Sequence, residues 1–378
     1  MRIGFDAKRA ICNLTGLGNY SRGLIRSLVA AYPENEYFLY TPSAKENSRL
    51  NFLNDTNARI MLPRSWWGRR LSSFWRTFGL TRQLQQDNID LFHGLSHELP
   101  YRIDKVGIKS VVTIHDLIFL RYPRLYTFAD RRVYLKKIRH SCRIADSIVA
   151  VSKQTRRDLI DFLSIKPERI QVIYQSCDPI FYHSASTEQK AACRKRYHLP
   201  TQYILSVGTI EERKNLLLLI KAIELLKSKL DLFLIVIGRA TAYKDQVTAH
   251  IQKAGLADRV LFLEDVSFPD FPAIYQMASS FVYPSRFEGF GIPIVEALFS
   301  KVPVIATRGS CLEESGGPES VYVSPDSADE LAQKLELTLT DSILRTKITA
   351  TGYSYAQRFR EEIVAGNVMA HYVELIGS

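Results

Sequence analysis

The stretch Tyr283-Pro-Ser-Arg-Phe-Glu288-Gly289-Phe290-Gly291-Ile-Pro293-Ile-Val-Glu296 sets two carboxylates around a glycine-rich entrance to a helix, with Pro293 near its first turn. Glycines here leave amide N–H groups open to a phosphate or a sugar hydroxyl, and the helix N-terminus favours negative charge. Glu288 reads as a loop residue and Glu296 as lying about one turn into the helix, so they meet different parts of one ligand. A surface helix with a plain glycine turn would show the same pattern. A second feature argues for chemistry: the apolar run Tyr203 to Val207 ends in Gly208-Thr-Ile-Glu-Glu-Arg213-Lys214-Asn215, two adjacent cations at another helix entrance. Fixed cations there suit a diphosphate and favour the extra charge that develops as it departs.

The N-terminal half offers weaker signals. After the first run, Arg2 to Asp6, comes Thr15-Gly16-Leu17-Gly18-Asn19-Tyr20 and a helical run from Ser21 to Ala31. As a dinucleotide fingerprint this fails, because the glycines do not follow the strand directly and Ser21 holds the third glycine position. A tight turn explains Gly16 and Gly18 equally well. His115 ends the run Ser110 to His115, and strand ends are where ligands of parallel sheets sit. His93 and His97 have the spacing of a metal pair on a helix, but Gly94 between them and Pro100 beyond favour a strand-end acceptor loop over a zinc site. No D-x-D occurs to hold a divalent cation against a diphosphate, so Arg213 and Lys214 are expected to supply that charge, with no metal and no cofactor.

These residues must be positioned by alternating elements. Short β-branched and aromatic runs (Tyr37 to Thr41, Arg59 to Leu62, Ile89 to His93, Ser147 to Val151, Ile170 to Tyr174) lie between amphipathic stretches. The scheme repeats with Leu232 to Ile237, Val260 to Leu263, Ser280 to Tyr283 and Pro303 to Ala306. Several lack polar alternation, as strands buried on both faces do, so the fold class is α/β: two α/β layers with parallel sheets. The expected division is 1–183, 184–353 and a tail, 354–378, whose helix starts at a capping Ser354 and packs back on the first domain.

The 378 residues carry a formal charge of +11, and its distribution is uneven. Residues 1–183 hold 29 Lys+Arg against 16 Asp+Glu, whereas 184–378 hold 21 against 23. A basic first half concentrates anions without specifying which. Within it, Arg64-Ser-Trp66-Trp67-Gly-Arg69-Arg70-Leu-Ser-Ser-Phe74-Trp75-Arg76-Thr-Phe78 contains all 3 Trp of the protein, a mixture suited to a membrane interface, so 64–78 is expected to meet an anionic membrane. The alternative for this segment is a core helix with a basic face. Five scattered Cys without C-x-x-C encode neither a disulfide framework nor a zinc cluster, and no apolar run is long enough to span a bilayer. A cytoplasmic place, peripheral on the inner face of the plasma membrane, is the expectation.

The E-x7-E pair Glu288/Glu296, with Gly208 to Asn215, Thr113-Ile-His115-Asp116-Leu and Gly16-Leu-Gly18-Asn19-Tyr20 in that arrangement along the chain, resembles the retaining GT-B glycosyltransferases of family 4, particularly bacterial mannosyltransferase-like members. The resemblance runs from the first strand to Ser354-Tyr355-Ala-Gln-Arg, where Tyr355 replaces the family's usual Trp. It implies GT-B architecture, two Rossmann-like domains facing across a cleft, with a nucleotide-sugar donor on the C-terminal domain and a glycan or lipid-linked acceptor on the N-terminal one. Carried over, Arg213 and Lys214 hold the donor diphosphate, Glu296 the ribose, and Glu288 the transferred sugar with the amides of Gly289, Phe290 and Gly291. His115 approaches the reacting sugar, and Gly16 and Gly18 let the first loop close over phosphates. The implied reaction is transfer of a hexose, with mannose from GDP-mannose as the leading donor, in cell-surface polysaccharide biosynthesis including lipopolysaccharide. Retention follows from a same-face displacement, with Glu288 as a nucleophile the competing route. A non-catalytic basic protein that binds nucleic acid or anionic membrane is the alternative, without a zinc-finger or RNP signature to support nucleic acid. A hydride-transfer enzyme stands third, weakened by the failed glycine fingerprint.

Overall fold

The computed structural model describes residues 1–13, 15–43, 48–54 and 56–377, without the side chains of residues 48, 49, 67, 69 and 72. Two compact units divide it: Met1–Ser176 with Glu361–Ser378, and Cys177–Arg360. Against the divisions expected from sequence, the chain leaves the first unit at 176 rather than 183, because Phe181 and Tyr182 pack on Tyr275 and Phe299 of the second.

In the first unit β1 (Arg2–Asp6), β2 (Glu36–Tyr40), β3 (Ala58–Met61), β4 (Leu91–Gly94), β5 (Lys109–Ile114), β6 (Ser147–Ala150) and β7 (Ile170–Val172) form a parallel sheet in the order β3-β2-β1-β4-β5-β6-β7. In the second, β8 (Ile204–Val207), β9 (Leu234–Ile237), β10 (Val260–Leu263), β11 (Ser280–Tyr283), β12 (Val304–Thr307) and β13 (Val321–Val323) run in the order β10-β9-β8-β11-β12-β13. Strand order reverses at β1/β4 and at β8/β11, and in such sheets the crevice for a ligand opens beyond the carboxyl ends at that point.

The alternation of side chains divides the first unit's interior into two cores. Ile3, Phe5, Tyr37, Leu39 and Leu91 pack with Leu24 and Leu28 of the helix Gly16–Ala31 and with Val364, Ala365, Val368 and Tyr372 of the last helix. Phe38, Tyr40, Phe92 and Val112 face the other way onto Leu80, Leu84, Ile138 and Cys142. Gly4 lies where a Cβ would approach Phe92 and Tyr40 to 3.1 Å, so the second layer closes directly on bare backbone.

The tail differs from expectation. Ser354 is inside the helix Ser342–Ala356, which Asp341 caps by accepting from the Leu344 amide at 2.9 Å. The last helix, Glu361–Gly377, begins only after Arg360 turns extended. Tyr355, at the family's Trp position, donates its hydroxyl to the Glu314 carbonyl at 2.8 Å, and its ring fills the space a Cβ on Gly317 would need. Among the described residues no helix is long and apolar enough to cross a membrane.

Candidate active site

In the second unit the reversal between β8 and β11 gathers the residues read as donor-binding. Gly208 leaves β8 with φ +148, and its carbonyl passes so close to Gly238, at the end of β9, that a Cβ there would meet it at 1.9 Å. Gly238→Ala is therefore expected to displace the Gly208 loop, lower stability by about 1–3 kcal/mol and weaken nucleotide binding, read by thermal melting and titration calorimetry. The chain then makes a short turn, Glu212–Lys214, before the helix Leu216–Leu226.

Arg213 Nη1 and Lys214 Nζ each lie 2.7 Å from Glu288 Oε1. Arg213 also donates to the Phe287 carbonyl and pairs with Glu211, while Lys214 donates to the Tyr283 hydroxyl at 2.6 Å. The Ser285 hydroxyl donates to the same Glu288 oxygen. Burial alone would raise the Glu288 pKa, but Lys214 and then Arg213 overturn that and hold it at about 2. The site thus sets two fixed cations, Arg213 and Lys214, against the buried Glu288 and the more exposed Glu211.

Gly291, with φ +107, ends the loop and starts the helix Ile292–Phe299, and a Cβ on it would press Leu312 and Ser315 at 2.9 Å. The Cys311 thiol donates to the carbonyls of Glu288 and Phe290, which turns those carbonyls inward. Phe290 itself is buried against Phe359, so only its backbone can serve a ligand. Glu296 receives a 2.8 Å hydrogen bond from Tyr275, and burial raises its pKa to about 7 despite that donor. Sequence reading missed Ser285, Tyr283, Tyr275 and Cys311. The first two flank Glu288 within the quoted motif, whereas Tyr275 and Cys311 come from other elements and left no sequence signal.

In the first unit His115 follows β5 and is buried. Its Nε2 donates to the Leu95 carbonyl at 2.9 Å and its Nδ1 accepts from the Gln175 amide at 3.1 Å. Burial and then the neighbouring His97 lower its pKa to about 3, so the ring is neutral. The Tyr20 ring meets it edge-on at 4.6 Å. His93 sits in β4, bonded to Thr113 and Tyr372, while His97 lies in the loop beyond with Nδ1 buried and without a hydrogen-bond partner. Among the described residues no group of three His, Cys, Asp or Glu is placed to hold a metal ion.

The glycines of the first loop are placed differently from expectation. Helix geometry starts at Gly16, so Gly16 and Gly18 form its first turn rather than a loop before it. Gly18 makes room for the Asn13 carbonyl, which a Cβ would meet at 1.9 Å, whereas nothing lies within 4 Å of a Cβ on Gly16. Arg22 fastens this corner by donating to the carbonyls of Ala10 and Asn13. The aromatic segment 64–78 also divides. Trp75 is buried and donates to Gln83, and Arg76 is partly buried between Asp6, at the end of β1, and Glu98. Trp66 remains 55% exposed with Arg70 over its ring, and the side chains of Trp67 and Arg69 lie outside the described residues.

Comparison with known proteins decides the class. Residues 14–180 match the model of Glycosyltransferase Family 4, and residues 194–355 match that of Glycosyl transferases group 1. The chain is a GT-B glycosyltransferase. The enzyme is 28% identical over 377 residues to the O-antigen chain mannosyltransferase B of Escherichia coli, covering 96% of this chain and 97% of that protein. It is 28% identical over 282 residues to the lipopolysaccharide core biosynthesis mannosyltransferase LpsB of Rhizobium meliloti, covering 72% and 78% of the two chains. Among solved structures it shares its fold with a sucrose-phosphate synthase from Thermosynechococcus elongatus (TM-score 0.78, 21% identity, 100% and 99% coverage). Anabaena HepE in complex with UDP and glucose has the same fold (TM-score 0.75, 18% identity, 99% and 100% coverage). These matches set aside the readings as a non-catalytic basic protein and as a hydride-transfer enzyme.

Proposed function

We propose that the glycosyltransferase moves mannose from GDP-mannose to a glycan or lipid-linked acceptor in cell-surface polysaccharide biosynthesis, with retention of anomeric configuration. The observation that carries the donor assignment is the cluster of Arg213, Lys214 and Glu288 beyond β8 and β11, beside the helix N-terminus at Gly291. The mannosyltransferase relatives support the sugar. In this reading Arg213 and Lys214 hold the diphosphate, the amides of Gly289, Phe290 and Gly291 and the Glu288 carboxylate meet the hexose, and Glu296 takes the ribose hydroxyls. The Glu288 carboxylate is already engaged by two cations and a hydroxyl, which favours a positioning role over nucleophilic attack and therefore the same-face displacement, in which the leaving phosphate accepts the acceptor proton.

His115 is assigned to the reacting sugar as a neutral ring. Its longer hydrogen bond, from Gln175 to Nδ1, is the one a sugar hydroxyl would replace. Gly16 keeps the first helical turn bare for phosphates, and Gly18 supports that turn by letting the Asn13 carbonyl pack against it. No metal or other cofactor is required, because the two cations supply the charge a divalent ion would bring. No nucleic acid partner is assigned. The acceptor side is placed at an anionic membrane, cytoplasmic and peripheral on the inner face, with the exposed Trp66, Phe74 and Phe78 of the 64–78 segment among the headgroups.

Incubation with GDP-mannose, UDP-glucose and UDP-N-acetylglucosamine, with and without EDTA, tests this reading. Release of GDP that EDTA does not suppress, and an axial anomeric linkage in the product by NMR, are the expected results. Preference for a UDP-sugar would overturn the donor, loss of turnover in EDTA the metal-free route, and an equatorial linkage the stereochemistry.

A further inference from the structure

The helix Phe128–Ile144 carries a stripe of cations without counter-ions among the described residues. Thr127 caps it by accepting from the Asp130 amide, and Asp130 is its one acidic residue. Arg132, Lys136, Arg139 and Arg143 follow at spacings of four, three and four, which puts them along one face. All four are exposed, and none has an ion-pair partner among the described residues. Lys137, off that stripe, is the one that pairs with Glu98, at 3.0 Å. Like charges one turn apart repel, so the stripe costs the isolated helix stability.

The stripe edges a surface groove of about 620 Å³, whose remaining lining is Tyr101, Val133, Leu135 and His140. Tyr101 stacks on His140 at 3.9 Å, and His140 Nε2 is buried without a hydrogen-bond partner. The ring series continues from Tyr101 to Phe78 and from Phe78 to Phe74, each at 5.0 Å. Phe74 and Phe78 are 58% and 53% exposed, Phe128 69% and Val133 51%. Cations with exposed large apolar side chains beside them match a surface that is anionic outside and hydrocarbon beneath; a soluble phosphate has no use for the rings, and a nucleic acid backbone none for Val133.

We propose that this groove binds the phosphate headgroup of an anionic membrane lipid, with Arg132, Lys136, Arg139 and Arg143 on the phosphate and Phe74, Phe78 and Phe128 at the hydrocarbon boundary. The proposal rests on the membrane reading of residues 64–78 and moves its electrostatic centre to a helix which that reading did not include. Each cation at an anionic surface strengthens partition roughly fivefold.

Flotation with phosphatidylcholine vesicles, with and without phosphatidylglycerol, tests it on the full-length protein. The wild type is expected to float only with phosphatidylglycerol. Arg139→Glu/Arg143→Glu should lower partition by roughly 100-fold or more, while Arg139→Lys/Arg143→Lys keeps most of it. Both variants should retain the wild-type melting temperature and turnover of a water-soluble acceptor. Flotation of the charge-reversal variant like wild type would overturn the proposal, as would release of bound protein by millimolar inorganic phosphate or by duplex DNA. Loss of flotation in Trp66→Ala/Arg70→Ala alone, with charge reversal on the helix harmless, would return the contact to the aromatic segment: the earlier reading would stand and this one would fall.

Discussion

Lys214→Ala is expected to lower kcat by about two to three orders of magnitude, the usual cost of removing one preorganised donor from a charge that develops in the transition state. Its ammonium is held from two sides, by Glu288 and by the Tyr283 hydroxyl, whose proton burial and Glu288 keep in place. Arg213 cannot substitute, because its guanidinium is already spread over Glu288, Glu211 and the Phe287 carbonyl. Glu288→Ala should lower kcat comparably by a different route, leaving two buried cations to repel each other and lose their alignment. Both variants should stay folded by circular dichroism, and kcat within about threefold of wild type in either would refute the role given to that residue.

An acid-stability measurement separates the same roles from mere packing. The depressed Glu288 pKa, about 2 against 4.5, contributes stability that is present above pH 4.5 and is lost as pH falls toward 2. Removing Lys214 raises that pKa, so acid unfolding of Lys214→Ala should start at higher pH.

Glu296 has the opposite sign. With its folded pKa raised to about 7, the protonated form is the one the fold prefers, so stability is fully present below about 4.5 and declines as pH rises through 7. Glu296→Gln is therefore expected to stabilise the unliganded enzyme at pH 8 by about 2 kcal/mol, with little gain at pH 4. The same variant should bind nucleotide at least about tenfold more weakly, because a carboxylate accepts strongly from two ribose hydroxyls and an amide oxygen does not. In the wild type, nucleotide affinity should rise with pH between 6 and 8. Tyr275→Phe, which removes the hydrogen bond favouring the ionised form, should move that profile to higher pH. Equal nucleotide affinity in Glu296→Gln and wild type at pH 8 would rule out the ribose assignment.

Much of this architecture is legible in the chain because parallel strands buried on both faces leave unbroken apolar runs, as in Leu234–Ile237 and Ser280–Tyr283. Val321–Val323 escaped notice: three residues between a glycine turn and Ser324-Pro325 give too short a pattern to separate from a loop. The donor-side residues could be found since Arg213, Lys214 and Glu288 lie immediately after strands, where local sequence and position in the sheet coincide. Tyr275 and Cys311 could not, because their partners are 21 and 23 residues away and depend on packing. Composition misled at Arg76, which was grouped with lipid-facing arginines although Asp6 and Glu98 draw it inside. The stripe on Phe128–Ile144 lies outside the sequence reading, because its meaning depends on a lack of counter-ions that only the fold shows.

The return of the chain to the first unit at Glu361 orders events during biosynthesis. Val364, Val368 and Tyr372 belong to the same interior as Ile3 and Phe5, yet the ribosome adds them after every residue of the second unit. While translation proceeds, the amino-terminal half waits with one hydrophobic flank uncovered and with His93 missing its tyrosine partner. A chain released at residue 360 would thus offer chaperones and proteases a finished carboxyl-terminal lobe and an unfinished amino-terminal one.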